Sequence, residues 1–200
     1  MPIKKQSRSK QAFIAAFLEL LKEMPIEKIT VVDLADRAQY SRGAFYAQFG
    51  SQDEFLRQVV DDEIENYLAI SRDSLKDDPS LGSASSSVER LFEYVYSKQE
   101  LYRFLFSNYR QFNTVEYFFS RTTQPLGEFR ITFSDDLPDV DPELYNFISS
   151  YVQKACIQFW IQQDFKWSPR HMAEQCELFY QKCPNMARVI KPDKRKGGAS

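Results

Sequence analysis

Apolar positions recur along this chain at the spacing of helix faces, and no stretch alternates as a half-buried strand would. Ile14, Phe17, Leu18 and Leu21 fall at i, i+3, i+4 and i+7 and predict a helix over about 9–23, stopped before Pro25. Val31, Val32, Leu34, Ala35 and Ala38 give a two-turn helix, with Thr30 as N-cap and Asp33 in the capping-box position. Gln39 and Tyr40 form a turn, Ser41 caps a second two-turn helix over 42–49, and Gly50 closes it. A longer helix begins at Gln52, with Leu56, Val60, Ile64, Tyr67 and Ser71 on one face, and ends in a Ser-, Asp- and Pro-rich loop at 72–87. Helices fit 88–98 and 99–109, and one or two more fit 113–133. A second acidic loop, 133–143, precedes a helix over 143–164, and Ser168-Pro169 opens the last one as N-cap and N1 proline. The expected fold is all-α.

The helix at 42–49 raises a question. Ala44, Phe45 and Phe49 suffice to bury one half of it, while Arg42, Tyr46 and Gln48 face away. A helix this short gains little stability from its own backbone, so a scaffold must hold it. Two short helices around a tight turn, crossed by a third, make a helix-turn-helix, whose second helix enters the DNA major groove. Arg can bond guanine, Gln adenine and Tyr a phosphate. Amides at the helix starts, Val31 and Arg42, can receive phosphates, and Gly43 keeps that end slim for close backbone approach.

At FIAAFLELLKE and ITVVDLADRAQYSRGAFYAQFGSQDEFL the chain resembles the TetR family of bacterial transcriptional regulators, in register over residues 9–60. The stretch FWIQQDFKWSPRHMAEQ is similar to a branch of that family that includes dihydroxyacetone-kinase regulators. The resemblance implies DNA contacts from Thr30, Gln39, Tyr40, Ser41, Arg42, Gly43, Ala44, Tyr46 and Gln48. Three positions depart from the family pattern: Gln39 stands where Gly is common, Gln48 where His is common, and Gln52 replaces a phosphate-contacting Lys. Lys4, Lys5, Arg8 and Lys10 could compensate for that lost cation, each phosphate contact being worth a salt slope of roughly −0.9. The implied function is a dimeric, sequence-specific DNA-binding regulator, a repressor on a palindromic double-stranded operator, released by a small apolar or aromatic effector. A cavity among the helices of 88–165 would hold that effector, with Tyr102, Tyr109, Phe112, Tyr117 and Tyr151 as lining candidates. The alternatives are control by a protein partner and, from another class, a helical enzyme.

Assembly follows from surplus apolar surface. Leu144, Phe147, Ile148, Tyr151, Val152, Ala155, Phe159 and Trp160 cover more than one helix stripe, whereas packing within one subunit needs one. A homodimeric four-helix bundle is therefore expected, with Tyr151, Ala155, Phe159, Trp160, Met172, Cys176 and Phe179 at its seam.

Composition narrows the alternatives. Of the 200 residues, 43% are hydrophobic and 27% charged, an ordinary globular balance. The net charge of −2 divides unevenly: +3 over residues 1–50, −9 over 51–184 and +4 over 185–200. The N-terminal part is the one suited to an anionic partner. Expected units are a DNA-binding domain (1–51), a helical ligand-binding and dimerisation domain (52–184) and a basic flexible tail (185–200). Three cysteines without a CxxC pair and one histidine argue against a disulfide framework and an ordinary zinc site. The cysteines read as small core residues, His171 as a partly exposed histidine, and the acidic DDEIE at 61–65 as a solvated helix face. No Gly-rich phosphate loop or carboxylate pair suggests catalysis, so no catalytic residue, metal or cofactor is assigned. Without a spanning apolar run or a secretory signal, the expected location is the cytoplasm, with no membrane partner.

Overall fold

The computed structural model describes residues 7–77, 87–107, 113–123 and 141–186, and every regular element among them is helical. Three short helices come first: α1 (Arg8–Glu23), α2 (Val31–Ala38) and α3 (Arg42–Phe49), with a 3₁₀ turn at Ile26–Lys28. Then follow α4 (Gln52–Asp77), α5 (Ser87–Ser97), α6 (Gln99–Leu105), α7 (Thr114–Thr122), α8 (Pro142–Gln162) and α9 (Pro169–Met186). No described helix is long and apolar enough to cross a membrane.

The caps are where the side chains direct them. Ser7 Oγ accepts from the Lys10 amide, Ser41 Oγ from Ala44, and Asp141 from Glu143 and Leu144 ahead of the Pro142 start of α8. The Thr30–Asp33 capping box is complete in both directions, and the hydroxyl bond from Thr30 lowers the Asp33 pKa. Some boundaries move. Helix α4 runs to Asp77, into the expected 72–87 loop, and α6 stops at Leu105. The buried stripe of α1 is Phe13, Ala16, Phe17 and Leu20; Ile14, Leu18 and Leu21 are only half-buried. The stripe shifts because α1 packs on α2, α3 and α6 at once.

Six phenylalanines join the N-terminal helices. Phe13 meets Phe45 edge-on at 5.3 Å, Phe49 meets Phe55 at 4.8 Å, and Phe17 meets Phe55 at 5.5 Å. Phe17 also meets Phe104 of α6 at 5.6 Å, so the same cluster reaches the C-terminal half. Edge-to-face pairs of this kind contribute about 0.5–1.5 kcal/mol each beyond burial.

The acidic run at 61–65 is a solvated face only in part: Glu65 is exposed, Asp61 and Asp62 are half-buried and Glu63 is buried. Asp61 accepts from the Tyr117 hydroxyl of α7 at 2.6 Å, and Asp62 pairs with Lys10 of α1 at 2.9 Å. Glu63, 2% exposed, accepts from Tyr94 of α5 (3.0 Å), Lys98 at the α5–α6 junction (2.7 Å) and Tyr102 of α6 (3.0 Å). One turn on, the Tyr67 hydroxyl donates to Gln153 of α8 at 2.9 Å. Successive helix positions are 100° apart, so three neighbouring acids face three different partners. Burial, and the Glu63 charge beside them, push the Tyr94 and Tyr102 hydroxyls far above their ordinary pKa.

Lys154 of α8 is 1% exposed. Its ammonium donates to the Phe119 carbonyl (3.2 Å) and to Thr123 Oγ1, under the rings of Phe119 and Tyr151. Burial pulls its pKa down to about 8. Between that value and its ordinary 10.5, the unfolded chain holds a proton that the folded chain has released, so stability rises with pH in that window. From pH 7 to 9, unfolding monitored by circular dichroism should show a gain of about 1 kcal/mol that is missing in Lys154→Met. The variant should be the more stable protein at pH 7; equal pH slopes would refute the assignment.

Candidate nucleic-acid interface

The starts of α2 and α3 open on one surface cleft of about 680 Å³, lined by Thr30, Val31, Val32, Ser41, Arg42, Gly43, Tyr46 and Gln52. The first amides of each helix, at Val31–Val32 and Arg42–Gly43, have no intrahelical carbonyl within reach. Two helix N-termini therefore aim their positive dipole ends into the same cleft, and the exposed Arg42 adds a full charge. Phosphate oxygens fit such a place. Tyr46, 51% exposed, stands one turn further along α3, its ring edge-on to Phe45 at 5.6 Å.

Local geometry fits the turn between the helices. Gln39 caps α2 in the left-handed region (φ 58°, ψ 39°), and the Tyr40 amide bonds back to the Ala35 carbonyl at 3.0 Å. Tyr40 leans its ring on Phe13 at 5.5 Å, which steers the chain into α3. Gly43 is not demanded by its own fold: a Cβ there would meet Ser41 Oγ at 3.6 Å and nothing closer. A glycine costs a helix up to about 1 kcal/mol relative to alanine, so its value here is open space on the outer face. Gly50 is different, since its φ of 76° suits glycine.

Thr30, Gln39, Tyr40, Ser41, Arg42, Gly43 and Tyr46 thus lie exposed around the turn and the outer side of α3, and Ala44 is half-buried. Gln48 is held differently from expectation. Its Oε1 accepts from Ser7 Oγ (2.8 Å) and Ser9 Oγ (3.3 Å), tying α3 to the start of α1. Gln52, where a phosphate-binding Lys was missed, donates to the Ile29 carbonyl at 2.8 Å and braces the entry to α2. Lys10 is paired with Asp62, which weakens its role as a compensating phosphate contact. Lys4 and Lys5 lie outside the described residues. The sequence reading missed Val32, which is 45% exposed in the cleft; its place in an apolar periodic run masked that exposure.

The expected cavity lining does not converge. Tyr102 is fully buried against Glu63, Tyr117 is half-buried and bonded to Asp61, and Tyr151 stands exposed beside Phe147 at 4.7 Å. Tyr109 and Phe112 lie outside the described residues. The expected dimer seam divides. Tyr151, Ala155, Phe159 and Phe179 face solvent, the last two 49% and 52% exposed, in company with Leu144, Phe147, Ile148 and Leu178. Trp160, Met172 and Cys176 are corrected to core residues of their own subunit. Trp160 donates to the Trp167 carbonyl at 3.0 Å and packs on Phe92, Tyr96 and Phe165, so it has no face left for a partner. His171 is half-buried and stacks on Trp167.

Comparison with known proteins fits this geometry. Residues 13–59 match the family model described as bacterial regulatory proteins, tetR family, and residues 83–182 match one described as transcriptional regulator C-terminal region. An HTH-type transcriptional regulator of Bacillus subtilis, YwcC, uncharacterised by its name, is 33% identical over 101 residues. That match spans 47% of this chain and 45% of the relative, so the chain spans less than half of that relative's length. Among solved structures, FadR of Bacillus subtilis in complex with stearoyl-CoA superposes with a TM-score of 0.62 at 13% identity, over 84% of this chain and 96% of that one. The dihydroxyacetone kinase operon activator DhaS superposes at 0.55 and 15% identity, over 84% and 91%. At those identities the likeness is one of fold.

Two substitutions separate binding from folding. Arg42→Ala should leave the melting temperature unchanged and cost duplex binding ~1–3 kcal/mol, readable by fluorescence anisotropy. Gly43→Ala should raise the melting temperature by roughly 2–4 °C while weakening the same binding, because a methyl group fills the approach surface. Unchanged affinity in both variants would place the interface on another face.

Proposed function

This chain belongs to the TetR family of transcriptional regulators, and from that premise we propose that it acts as a twofold homodimeric repressor on a palindromic operator. The observation that carries the DNA reading is the convergence of two helix starts, Arg42 and the open face of Gly43 on one cleft. Helix α3 supplies Arg42 and Tyr46 to base edges and backbone, while Thr30, Ser41 and the amides beside them hold phosphates.

The dimer reading rests on the exposed apolar stripe. Leu144, Phe147, Ile148, Tyr151 and Phe159 along α8, with Leu178 and Phe179 of α9, leave more large apolar side chains in water than a lone subunit ordinarily does. A twofold axis lets one such patch cover itself, and sets two recognition helices about 34–36 Å apart, one turn of duplex.

Release by a small effector is the regulatory part of the proposal. Its support is the fold shared with a structure holding stearoyl-CoA; the described tyrosines do not add to it, being core, hydrogen-bonded to a carboxylate or outward-facing. An apolar or aromatic effector remains the class proposed. Control by a protein partner is the second reading, favoured by how solidly Tyr102 and its neighbours are packed.

Light scattering should give twice the 23.5 kDa chain mass at micromolar concentration. Phe159→Glu and, separately, Phe179→Glu should yield folded monomers that no longer shift a palindromic duplex taken from the regulator's own upstream region. A wild-type monomer, or unchanged dimers in both variants, would overturn the proposed interface.

A further inference from the structure

A second cleft, of about 320 Å³, lies where the N-terminal helices meet the C-terminal half. Leu18 and Lys22 of α1 line one side, and Tyr96 of α5 with Lys98, Glu100 and Leu101 line the other. It sits beside the Phe17–Phe104 contact, since Leu18 follows Phe17 and Leu101 precedes Phe104 by one turn. We propose that this cleft binds a small organic carboxylate, held by the ammonium groups of Lys22 and Lys98, and that its occupancy draws Lys98 off Glu63 and loosens the hold on α4.

Charge selects an anion. Lys22 is exposed and makes no ion pair among the described residues. Its neighbours on α1, Glu19 and Glu23, both pair with Arg37 instead. Glu100, the carboxylate of the lining, accepts from Arg103 Nε at 3.4 Å, so a cationic guest would have to displace that guanidinium. The remaining surface suits an organic body: Leu101 is buried, Leu18 half-buried, and Tyr96 stays 41% exposed with its ring stacked on Trp160. Ligand cavities run from roughly 300 to 1,000 Å³, and this one is at the small end, which fits a single ring or a short branched chain.

Lys98 is the link to the DNA-facing half. Its ammonium bonds Glu63 of α4 at 2.7 Å and lies over the Tyr94 ring, yet 27% of its side chain stays exposed at the cleft. A guest carboxylate and Glu63 therefore compete for the same N–H donors. A donor turned to the guest is lost to Glu63, which then holds only the Tyr94 and Tyr102 hydroxyls. A buried carboxylate with fewer partners is costly, so the occupied protein favours a shifted α4, the helix on which α3 rests. This regulatory step narrows the proposed effector to an anion and rests on the reading of the chain as a DNA-binding regulator; the binding step does not.

The test uses the full-length protein, with benzoate as probe and its neutral analogue benzamide as control, in isothermal titration calorimetry without DNA. Benzoate should bind once per chain, and benzamide about ten-fold more weakly. Lys22→Met should weaken benzoate roughly 3–10-fold at an unchanged melting temperature, and Lys22→Arg should retain it. Ser97→Trp, at an exposed position of the lining, should block it. No benzoate binding up to about 10 mM, equal binding of benzamide, or benzoate binding untouched by both Lys22→Met and Ser97→Trp would overturn the site. In fluorescence anisotropy with the upstream duplex, saturating benzoate should lower wild-type affinity several-fold, and Lys22→Met should respond less at the same concentration. Undiminished duplex affinity with the cleft filled would overturn the coupling. A duplex that never binds, with or without benzoate, would instead sink the DNA-regulator reading and the regulatory step with it.

Discussion

Everything outward on α3 depends on what is buried beneath it. Eight residues cannot hold a helix in water, and α3 exists because Phe45 and Phe49 are sunk among Phe13, Phe17 and Phe55. Edge-to-face packing fixes ring orientation as well as distance, so the cluster sets the angle at which Arg42 and Tyr46 leave the surface. The hydrogen bonds from Ser7 and Ser9 to Gln48 clamp the far end of the same helix. A reading surface of a few side chains can be precise only when the helix beneath it has no freedom of its own.

Helix α4 connects that surface to the rest. Phe55 belongs to the aromatic cluster, and two turns later Asp61, Asp62 and Glu63 each bond to a different helix. Tyr67 adds α8 to the set. Charged and polar groups of this kind are directional where apolar contacts are not, so a displacement of α5, α7 or α8 has a specific grip on α4. Helix α4 is in turn the element against which α3 rests, which gives a physical route between the C-terminal helices and the recognition face.

The α8–α9 hairpin separates two kinds of apolar surface. Its turn places Asp164 and Phe165 in the left-handed region, and Arg103 holds it by bonding Asp164 at 2.7 Å while lying over the Phe165 ring. That arrangement turns Trp160 and Phe165 inward and leaves Phe159 outward, stacked on Trp167 at 5.6 Å. Neighbouring positions on one helix thus end in opposite environments.

Much of this was legible in the residue order. Helix periods, the Ser, Thr and Asp caps, the Ser168-Pro169 start and the tight turn at Gln39-Tyr40 are local signals, and local signals specify an all-helical chain with a helix-turn-helix near its start. The exposed edge of α3 was legible for the same reason, since a two-turn helix with two phenylalanines has one inside. Tertiary structure alone decided the rest. Trp160, Met172 and Cys176 carry the same apolar character as Phe159 and Phe179, and only the packing of neighbouring helices determines which are covered. The acids at 61–63 looked solvated because burial of a charge depends on partners as much as 56 residues away.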